Sequence, residues 1–180
     1  MPLRSRALAL LASVTVLAIA PGVARAQSLT VTIGDRAPVV VDAAARAGLA
    51  RREVTADDHG TTSRFEGVRL ADLLRELGVP VDSVRGRRAT LVVVAHARDG
   101  YRALFSLAEI APDLGGRDVL LADRRDGAAL DSAMGPLRLV VPGDRRATRW
   151  VRQLESIRVL DALPAPARPA DRRGTGPVDR

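Results

Sequence analysis

Residues 56–60 read Ala-Asp-Asp-His-Gly and place three side chains that can bind a metal or carry a proton next to one another. Carboxylate and imidazole groups serve as metal ligands, as general acids and bases, or as hydrogen-bonding groups that order a polar loop. The sequence leaves these three alternatives open for Asp57, Asp58 and His59. Asp58 is also able to accept backbone N–H bonds from its own loop.

The chain has only two histidines, His59 and His96. Together with Asp57, Asp58 or Asp99 they could form a zinc site, since Zn²⁺ binds imidazole and carboxylate groups. Neither histidine, however, belongs to the closely spaced pairs that metalloenzymes use. His96 stands near the end of an apolar strand, which favours a hydrogen-bonded structural role. For His59, a loop-ordering role and a role in a pocket are both open.

A second group of side chains with binding chemistry follows a Pro-Gly turn. Arg145, Arg146 and Arg149 occur within five residues there. The guanidinium group binds phosphate through two parallel hydrogen bonds, and loop N–H groups can add to such a site. The spacing indicates an anion-binding loop, and the alternative is a solvated basic loop that pairs with nearby aspartates.

Composition limits the remaining classes of function. A length of 180 residues suits one domain, and 47% hydrophobic residues suffice for a core. The chain contains no cysteine, which excludes thiolate metal sites, iron–sulfur clusters and cysteine nucleophiles. Without the two ends, the formal net charge of +7 falls to about +2, which does not support nucleic-acid binding. The sequence contains no nucleotide-binding glycine motif and no serine-hydrolase motif.

Both ends of the chain differ in composition from the middle. Residues 1–26 combine arginines, a short apolar run and an Ala-Arg-Ala end, the pattern of a secretory signal peptide. We expect cleavage after Ala26, a mature protein that starts at Gln27, and a periplasmic or secreted location. The apolar run is short for a membrane span, so we expect none after cleavage. Residues 164–180 are rich in proline and arginine and are predicted to be a disordered tail.

The remaining domain, residues 27–163, has the pattern of an α+β fold made mostly of short strands. Residues 29–41 are predicted to form a hairpin, and residues 91–106 two strands joined by an Asp-Gly turn. Leucines recur at helical spacing over residues 70–77. Two further short helices are indicated after Asp42 and Ser106. Residues 57–63 are predicted to form a loop.

Three sequence pieces, in this order, carry a resemblance to a known family. They are Gly67-Val68-x-Leu70-x-x-Leu73-Leu74, then Asp99-Gly100-Tyr101, then Gly135-Pro136-Leu137-Arg138-Leu139-x-x-Pro142-Gly143. With this order and spacing the chain resembles the sulfite-oxidase-like, molybdopterin-binding oxidoreductase domain, and in particular its small exported members. The resemblance covers about residues 29–160. It implies a mixed α+β fold that holds molybdenum on one pterin cofactor.

The resemblance also implies where a metal ligand belongs. In the family's enzymes a cysteine thiolate ligates the metal, and it lies in the loop before an aromatic-x-Gly-Val segment. Here that segment begins at Phe65, and no cysteine precedes it. Asp57, Asp58 and His59 stand in this region instead. Which of them, if any, replaces the thiolate stays open.

A phosphate site is implied in the same way. In the family, basic residues after the Pro-Gly turn help to hold the cofactor's phosphate. Arg146 and Arg149 fall near those positions, with Arg145 beside them. These three arginines and His59 are therefore the predicted cofactor-binding residues.

Three functions are compatible with these residues. The first is a periplasmic molybdopterin-dependent oxidoreductase, with Tyr101 and Asp58 as the candidate catalytic residues and a redox partner protein. The second is a cofactor-free relative that uses the same fold to bind a small anion or a partner protein, and the missing cysteine favours it. The third is a zinc-dependent hydrolase that uses His59 and His96.

Overall fold

The structure is a computed structural model, and it describes residues 27–163. The predicted signal peptide at 1–26 and the predicted tail at 164–180 lie outside the described residues. Within residues 27–163, no helix has both the length and the apolar character that crossing a membrane requires.

Strands dominate the described region, and the helices between them are short. In chain order the elements are β1 (Leu29–Ile33), β2 (Val39–Val41), α1 (Ala43–Ala47), β3 (Arg51–Asp58), β4 (Thr61–Arg69), α2 (Leu70–Glu76), β5 (Leu91–Ala97), β6 (Arg102–Ser106), α3 (Leu107–Ile110), β7 (Leu120–Arg125), β8 (Ala128–Ala129), β9 (Arg138–Val140) and β10 (Leu154–Asp161). Short 3₁₀ turns cover Gly86–Thr90 and Ala147–Arg149.

The strands form two sheets. Sheet A has the order β2-β1-β10-β5-β6, in which β1 and β10 are parallel and all other neighbours are antiparallel. Sheet B has the order β3-β4-β7-β8, and β9 also pairs with β7. The last strand, β10, thus lies in the middle of sheet A beside the first strand. This pairing brings the two ends of the domain together.

Two of the three helices in the described residues begin at the caps that the sequence indicates. Asp42 accepts a hydrogen bond from the backbone N–H of Ala45 at 2.8 Å, and Ser106 accepts one from Ala108 at 3.2 Å. The leucine-rich helix α2 lies within the predicted residues 70–77 and buries its apolar face. Two sheets with these short helices confirm the predicted α+β class.

The core is one aliphatic cluster to which both sheets contribute. The two phenylalanines, Phe65 on β4 and Phe105 on β6, are fully buried in it. Charged side chains are rarely buried unless they are paired, so the buried polar residues identify places with specific interactions. In the described part of the chain these residues are Arg46, Asp58, Ser63 and Arg138.

One prediction is wrong, because residues 57–63 do not form a loop. Strand β3 continues to Asp58, the chain turns at His59 and Gly60, and β4 begins at Thr61. Both turn residues have positive φ values, 55° and 88°, as a tight two-residue hairpin turn requires. The stretch looks like a loop in sequence because many of its side chains are polar and face solvent. The hairpin instead holds Asp58 at the end of a strand.

Candidate functional site

A cavity of about 300 Å³ lies beside the turn of the β3–β4 hairpin. Its walls come from this hairpin, from the turn between β5 and β6, and from the segment that follows β9. Its lining residues include Asp58, His59, Tyr101, Arg138 and Trp150. Four of the side chains that the sequence indicates are therefore brought together in one place: Asp58, His59, Asp99 and Tyr101.

Asp58 and Arg138 form a buried ion pair in the wall of the cavity. Arg138 Nη1 donates to Asp58 Oδ2 at 2.7 Å, and Nη2 donates to Oδ1 at 2.9 Å. Asp58 is only 6% exposed and Arg138 only 4%. Because a buried charge without a partner is costly, each of these residues requires the other. The pair joins the end of β3 to β9 across the intervening strands of sheet B.

The pair also determines the charge of Asp58. The hydrogen bonds from Arg138 hold the pKa of the Asp58 carboxyl below its ordinary value, although burial acts in the opposite direction. Asp58 is therefore ionised at neutral pH. Both of its oxygens are engaged by one guanidinium group.

Arg138 lies between two aromatic rings. Its guanidinium carbon is 5.6 Å from the centre of the Phe65 ring and 5.1 Å from the centre of the Trp150 ring, within the range of cation–π attraction. The two rings meet edge to face with their centres 5.6 Å apart. Arg138 Nε is buried and has no hydrogen-bond partner among the described residues. The rings and Asp58 together hold the guanidinium plane in one orientation.

Three of the four aromatic rings of the chain lie against arginine side chains in this part of the fold. Phe65 and Trp150 enclose Arg138, and Tyr101 lines the cavity. The fourth, Phe105, lies under an arginine of the neighbouring loop, 5.0 Å from its guanidinium carbon. Aliphatic residues therefore fill most of the core, while the rings of Phe65, Trp150 and Phe105 also contact arginines.

His59 occupies the left-handed region of backbone conformation at the hairpin turn. Asp57 Oδ1 accepts a hydrogen bond from Gly60 N at 2.8 Å, so the turn-stabilising role considered for Asp58 belongs to Asp57. The imidazole of His59 is 81% exposed, and its Nε2 lies 4.0 Å from Asp58 Oδ1. The turn therefore presents an accessible imidazole beside the cavity.

Tyr101 follows the turn between β5 and β6 and forms another side of the cavity. Its backbone N–H donates to Asp99 Oδ1 at 3.0 Å, and its hydroxyl donates to the carbonyl oxygen of Thr148. Arg152 Nη2 lies 3.6 Å from Asp99 Oδ2 at the exposed rim. An exposed ion pair at this distance contributes little to stability. The charges of Arg152 and Asp99 are therefore both accessible to a ligand.

The three arginines that follow the Pro-Gly turn do not line the cavity. Arg149 donates to both oxygens of Asp144, at 2.9 Å and 2.7 Å, and to Glu109 Oε1 at 2.9 Å. Arg145 and Arg146 are exposed. The phosphate-binding role of these arginines stays a prediction. For Arg149, a phosphate would have to compete with two carboxylates of the chain itself.

These carboxylates belong to a ring of four charges that fixes the loop after β9. Arg117 contacts the same two acids, Glu109 at 2.8 Å and Asp144 at 3.0 Å. Arg149 completes the ring and lies immediately before Trp150, which lines the cavity. The ring therefore positions one wall of the cavity from outside it.

His96 lies apart from the cavity, on β5 opposite Arg102 and Ser156 of the neighbouring strands. Partial burial, followed by the charges of Arg102 and Arg158, lowers the pKa of its imidazole, so His96 is neutral at pH 7. In residues 27–163 no three His, Asp or Glu side chains converge as metal ligands would. For this part of the chain, the zinc site built on both histidines is therefore wrong.

Sequence reasoning did not single out Arg138 as a site residue. A signal was present, because Arg138 interrupts an otherwise apolar run, Leu137 to Val141, and an arginine among core residues requires a partner. No comparable signal marks the other lining residues Thr148, Trp150 and Arg152. Their place beside the cavity depends on how the distant parts of the chain fold together.

One mixed sheet, one antiparallel sheet and few short helices make an α+β domain, and the comparisons with known proteins identify it as the sulfite-oxidase-like, molybdopterin-binding kind. The family described as "Oxidoreductase molybdopterin binding domain" matches residues 43–165. The chain belongs to this family, which confirms the resemblance seen in the sequence.

A solved structure with a similar fold is the sulfane dehydrogenase SoxCD from Paracoccus pantotrophus, with a TM-score of 0.57 and 22% sequence identity. The match covers 75% of this chain and 38% of the SoxCD chain. The chain therefore spans well under half the length of that neighbour, and at this identity the likeness shows the fold alone. A search of the curated proteins found no match.

The family implies a molybdopterin group, and the residues of the cavity can be tested for their fit to it. The thiolate ligand is absent from the sequence. In its region stands Asp58, a hard carboxylate already bound by Arg138 through both oxygens, which differs from a soft thiolate in ligand class. Among the described lining residues the one sulfur, that of Met134, lies 3.5 Å from Arg138 Nη1. These residues do not fit a molybdenum atom ligated by the protein.

The substitution Asp58→Asn tests the buried pair, because it leaves Arg138 buried without a counter-charge. We expect a loss of about 3–5 kcal/mol in the free energy of unfolding at pH 7, measured by urea unfolding with Trp150 fluorescence. The folded-state pKa of Asp58 lies below the ordinary 3.8. The extra stability of the wild type over Asp58→Asn is therefore fully present at pH values above that ordinary pKa. It is lost as the pH falls through the folded-state pKa of Asp58.

A matched control is Asp82→Asn, because Asp82 also pairs with an arginine, Arg75, but at the surface. Its effect should be small. The double substitution Asp58→Leu with Arg138→Met leaves no buried charge and should regain most of the stability that Asp58→Asn loses. Equal losses for Asp58→Asn and Asp82→Asn would contradict the importance of the buried pair.

Proposed function

We propose that this chain is a cofactor-free member of its family that binds a small anionic molecule in the cavity beside Asp58 and Arg138. One observation carries the proposal: the carboxylate in the region of the family's metal ligand is bound through both oxygens by a buried arginine. To ligate a metal, Asp58 would have to bring a cation against the buried guanidinium group of Arg138 or leave Arg138 unpaired in the core, and either change is unfavourable.

The size of the cavity supports a small ligand. Small-molecule sites typically enclose about 300–1,000 Å³, and a cavity of about 300 Å³ lies at the lower end of that range. Trp150 and Ala147 contribute apolar wall. A ligand of a few heavy atoms that carries one charged group suits these dimensions.

The charges of the cavity support an anion. The charge of Arg138 is neutralised by Asp58, so the accessible groups that can bind an anion are His59 and Arg152 at the rim. Asp99 is the nearest acid, and its contact with Arg152 is long, at 3.6 Å. A bound anion would take the place of Asp99 as the partner of Arg152 and would receive a hydrogen bond from His59.

Isothermal titration with inorganic sulfate, sulfite and phosphate tests this proposal. We expect at least one of these anions to bind. His59→Asn and Arg152→Gln should each weaken that binding by about tenfold or more, since each removes a hydrogen bond to a charged ligand. Asparagine tolerates positive φ, so His59→Asn preserves the hairpin turn.

Arg146→Ala is the matched control, because Arg146 is an exposed arginine that does not line the cavity. It should leave the affinity unchanged. If Arg146→Ala weakens binding while His59→Asn does not, the anion site lies on the arginine loop and the cavity proposal fails.

The family match over residues 43–165 favours a second candidate, an oxidoreductase that binds a molybdopterin-type cofactor. The cofactor would supply the redox chemistry when bound. In that case the arginines after β9 and His59 would contact the cofactor, Tyr101 and Asp58 would face the substrate, and a redox partner protein would exchange electrons with the site.

Analysis of molybdenum and pterin separates the two candidates. The protein is purified after export from cells that make the cofactor, with a cysteine-containing enzyme of the family as the positive control. Our proposal predicts that the control carries molybdenum and pterin and that this chain carries only traces. Stoichiometric molybdenum and pterin in this chain would establish the second candidate instead.

We also propose that the protein is exported to the periplasm or beyond, with residues 1–26 as its cleaved signal peptide. In support, the carbonyl of Gln27 accepts a hydrogen bond from Arg46 Nη1 at 2.7 Å, so the residue after the expected cleavage site is part of the domain. N-terminal sequencing of exported protein should begin at Gln27. A sequence that begins at Met1 would contradict the proposal.

A further inference from the structure

Among residues 27–163, strand β3 has a strand neighbour on only one side. In sheet B it stands at the edge, and β4 is the one described strand that pairs with it. The pairing runs without a bulge over all eight residues, Arg51–Asp58. A long, regular edge presents a row of unpaired N–H and C=O groups that another strand can bind.

The other edge strands of the two sheets are shorter and offer fewer backbone groups for pairing. Strands β2, β6, β8 and β9 have three, five, two and three residues. Each carries at most one charged side chain, whereas β3 begins with two arginines and ends with two aspartates. Strand β3 also lacks proline, which commonly blocks pairing at an edge.

The hairpin turn determines which backbone groups of β3 point outward. In a hairpin with a two-residue turn, the residues that flank the turn, here Asp58 and Thr61, form a hydrogen-bonded pair. Because bonding alternates along an antiparallel pair, the even-numbered residues of β3 bond to β4. Positions 51, 53, 55 and 57 therefore direct their N–H and C=O groups toward the free edge.

This alternation restricts how a second copy of β3 can pair with the first in antiparallel orientation. Outward-directed residues must face one another, so a two-fold symmetric pairing is centred on either Val54 or Thr55. Centred on Val54, Arg51 faces Asp57 of the other copy at both ends. Centred on Thr55, Glu53 faces Asp57 of the other copy, which places like charges opposite each other.

We propose that two copies of this chain associate through β3, in antiparallel pairing with its two-fold axis at Val54. The strand is complementary to itself in charge, with Arg51 and Asp57 at opposite ends and uncharged, strand-favouring Val54 and Thr55 between them. Within one copy Arg51 donates to both oxygens of Asp123 on β7, at 3.1 Å and 2.6 Å. An exposed ion pair of this kind contributes little to stability, so the proposed association has Arg51 exchange Asp123 for Asp57 of the other copy. The symmetric pairing satisfies both copies with the same surface and leaves no edge of β3 open. It joins the two copies of sheet B into one continuous sheet.

Charge reversal tests the pairing. Arg51→Asp and Asp57→Arg each place like charges at both ends of the interface, so each variant should sediment as a monomer while the wild type doubles its mass with concentration. Mixing the two variants restores an opposite-charge pair at each end, and a heterodimer should form. Two controls are needed. Arg124→Asp reverses an equally exposed charge on β7, away from the edge, and Asp123→Asn breaks the pair of Arg51 with Asp123 while it leaves the charges of β3 unchanged. Both control variants should still form the dimer. Circular dichroism verifies that each variant is folded.

A single introduced cysteine tests the register without altering any charge. The chain has no cysteine, so Val54→Cys provides one thiol per copy, which would lie at the two-fold axis opposite itself. Residues that face each other in such a non-hydrogen-bonded pair have Cα atoms about 4.5 Å apart, within the range that disulfides span. Val54→Cys should therefore form a disulfide-linked dimer under mild oxidation far faster than Thr55→Cys. A wild type that remains monomeric at all concentrations, or equal cross-linking of the two cysteine variants, would overturn the proposal.

Discussion

The buried ion pair between Asp58 and Arg138 is the interaction on which the arrangement of the site depends. It fastens the end of the β3–β4 hairpin to β9, and the rings of Phe65 and Trp150 keep the guanidinium in its plane. Removing either charge leaves the other buried, which costs more free energy than the intact pair contributes. The aliphatic core therefore stabilises the fold as a whole, while this one charged contact determines where the cavity wall lies.

A second group of charged residues positions the part of the wall that Trp150 forms. The ring formed by Arg117, Glu109, Asp144 and Arg149 holds the loop that leads into Trp150. Arg117 and Arg149, whose guanidinium groups could bind phosphate, instead bind carboxylates of the same chain. Most charges near the cavity are thus already neutralised within the protein. The groups left for a ligand are few and lie at the rim, which is consistent with a small ligand that carries a single charged group.

Local patterns were sufficient to predict the strands, the helix caps, the α+β class and the family, because each of these depends on residues close together in sequence. The hairpin at 57–63 was missed because an edge strand with polar exposed residues resembles a loop in sequence. The site itself depends on distant contacts: Asp58 and Arg138 are 80 residues apart, and Glu109 and Arg149 are 40 apart. No periodicity connects such positions. Asp58 and Arg138 each stand out in the sequence on their own, but nothing in the sequence shows that they pair with each other.

In this account the chain keeps the fold of a molybdopterin-binding family and holds an internal ion pair in the region where a thiolate would ligate metal. The ionisation of the Asp58 carboxyl group shows whether Arg138 holds this carboxylate or whether it is free to act as a ligand. Its pKa can be followed directly by NMR titration of the side-chain carboxyl carbon in protein labelled with ¹³C-aspartate, assigned by comparison with Asp58→Asn. The account predicts a pKa below 3.8, the ordinary value. A pKa at or above that value would show a carboxylate not held by Arg138 and would contradict the account.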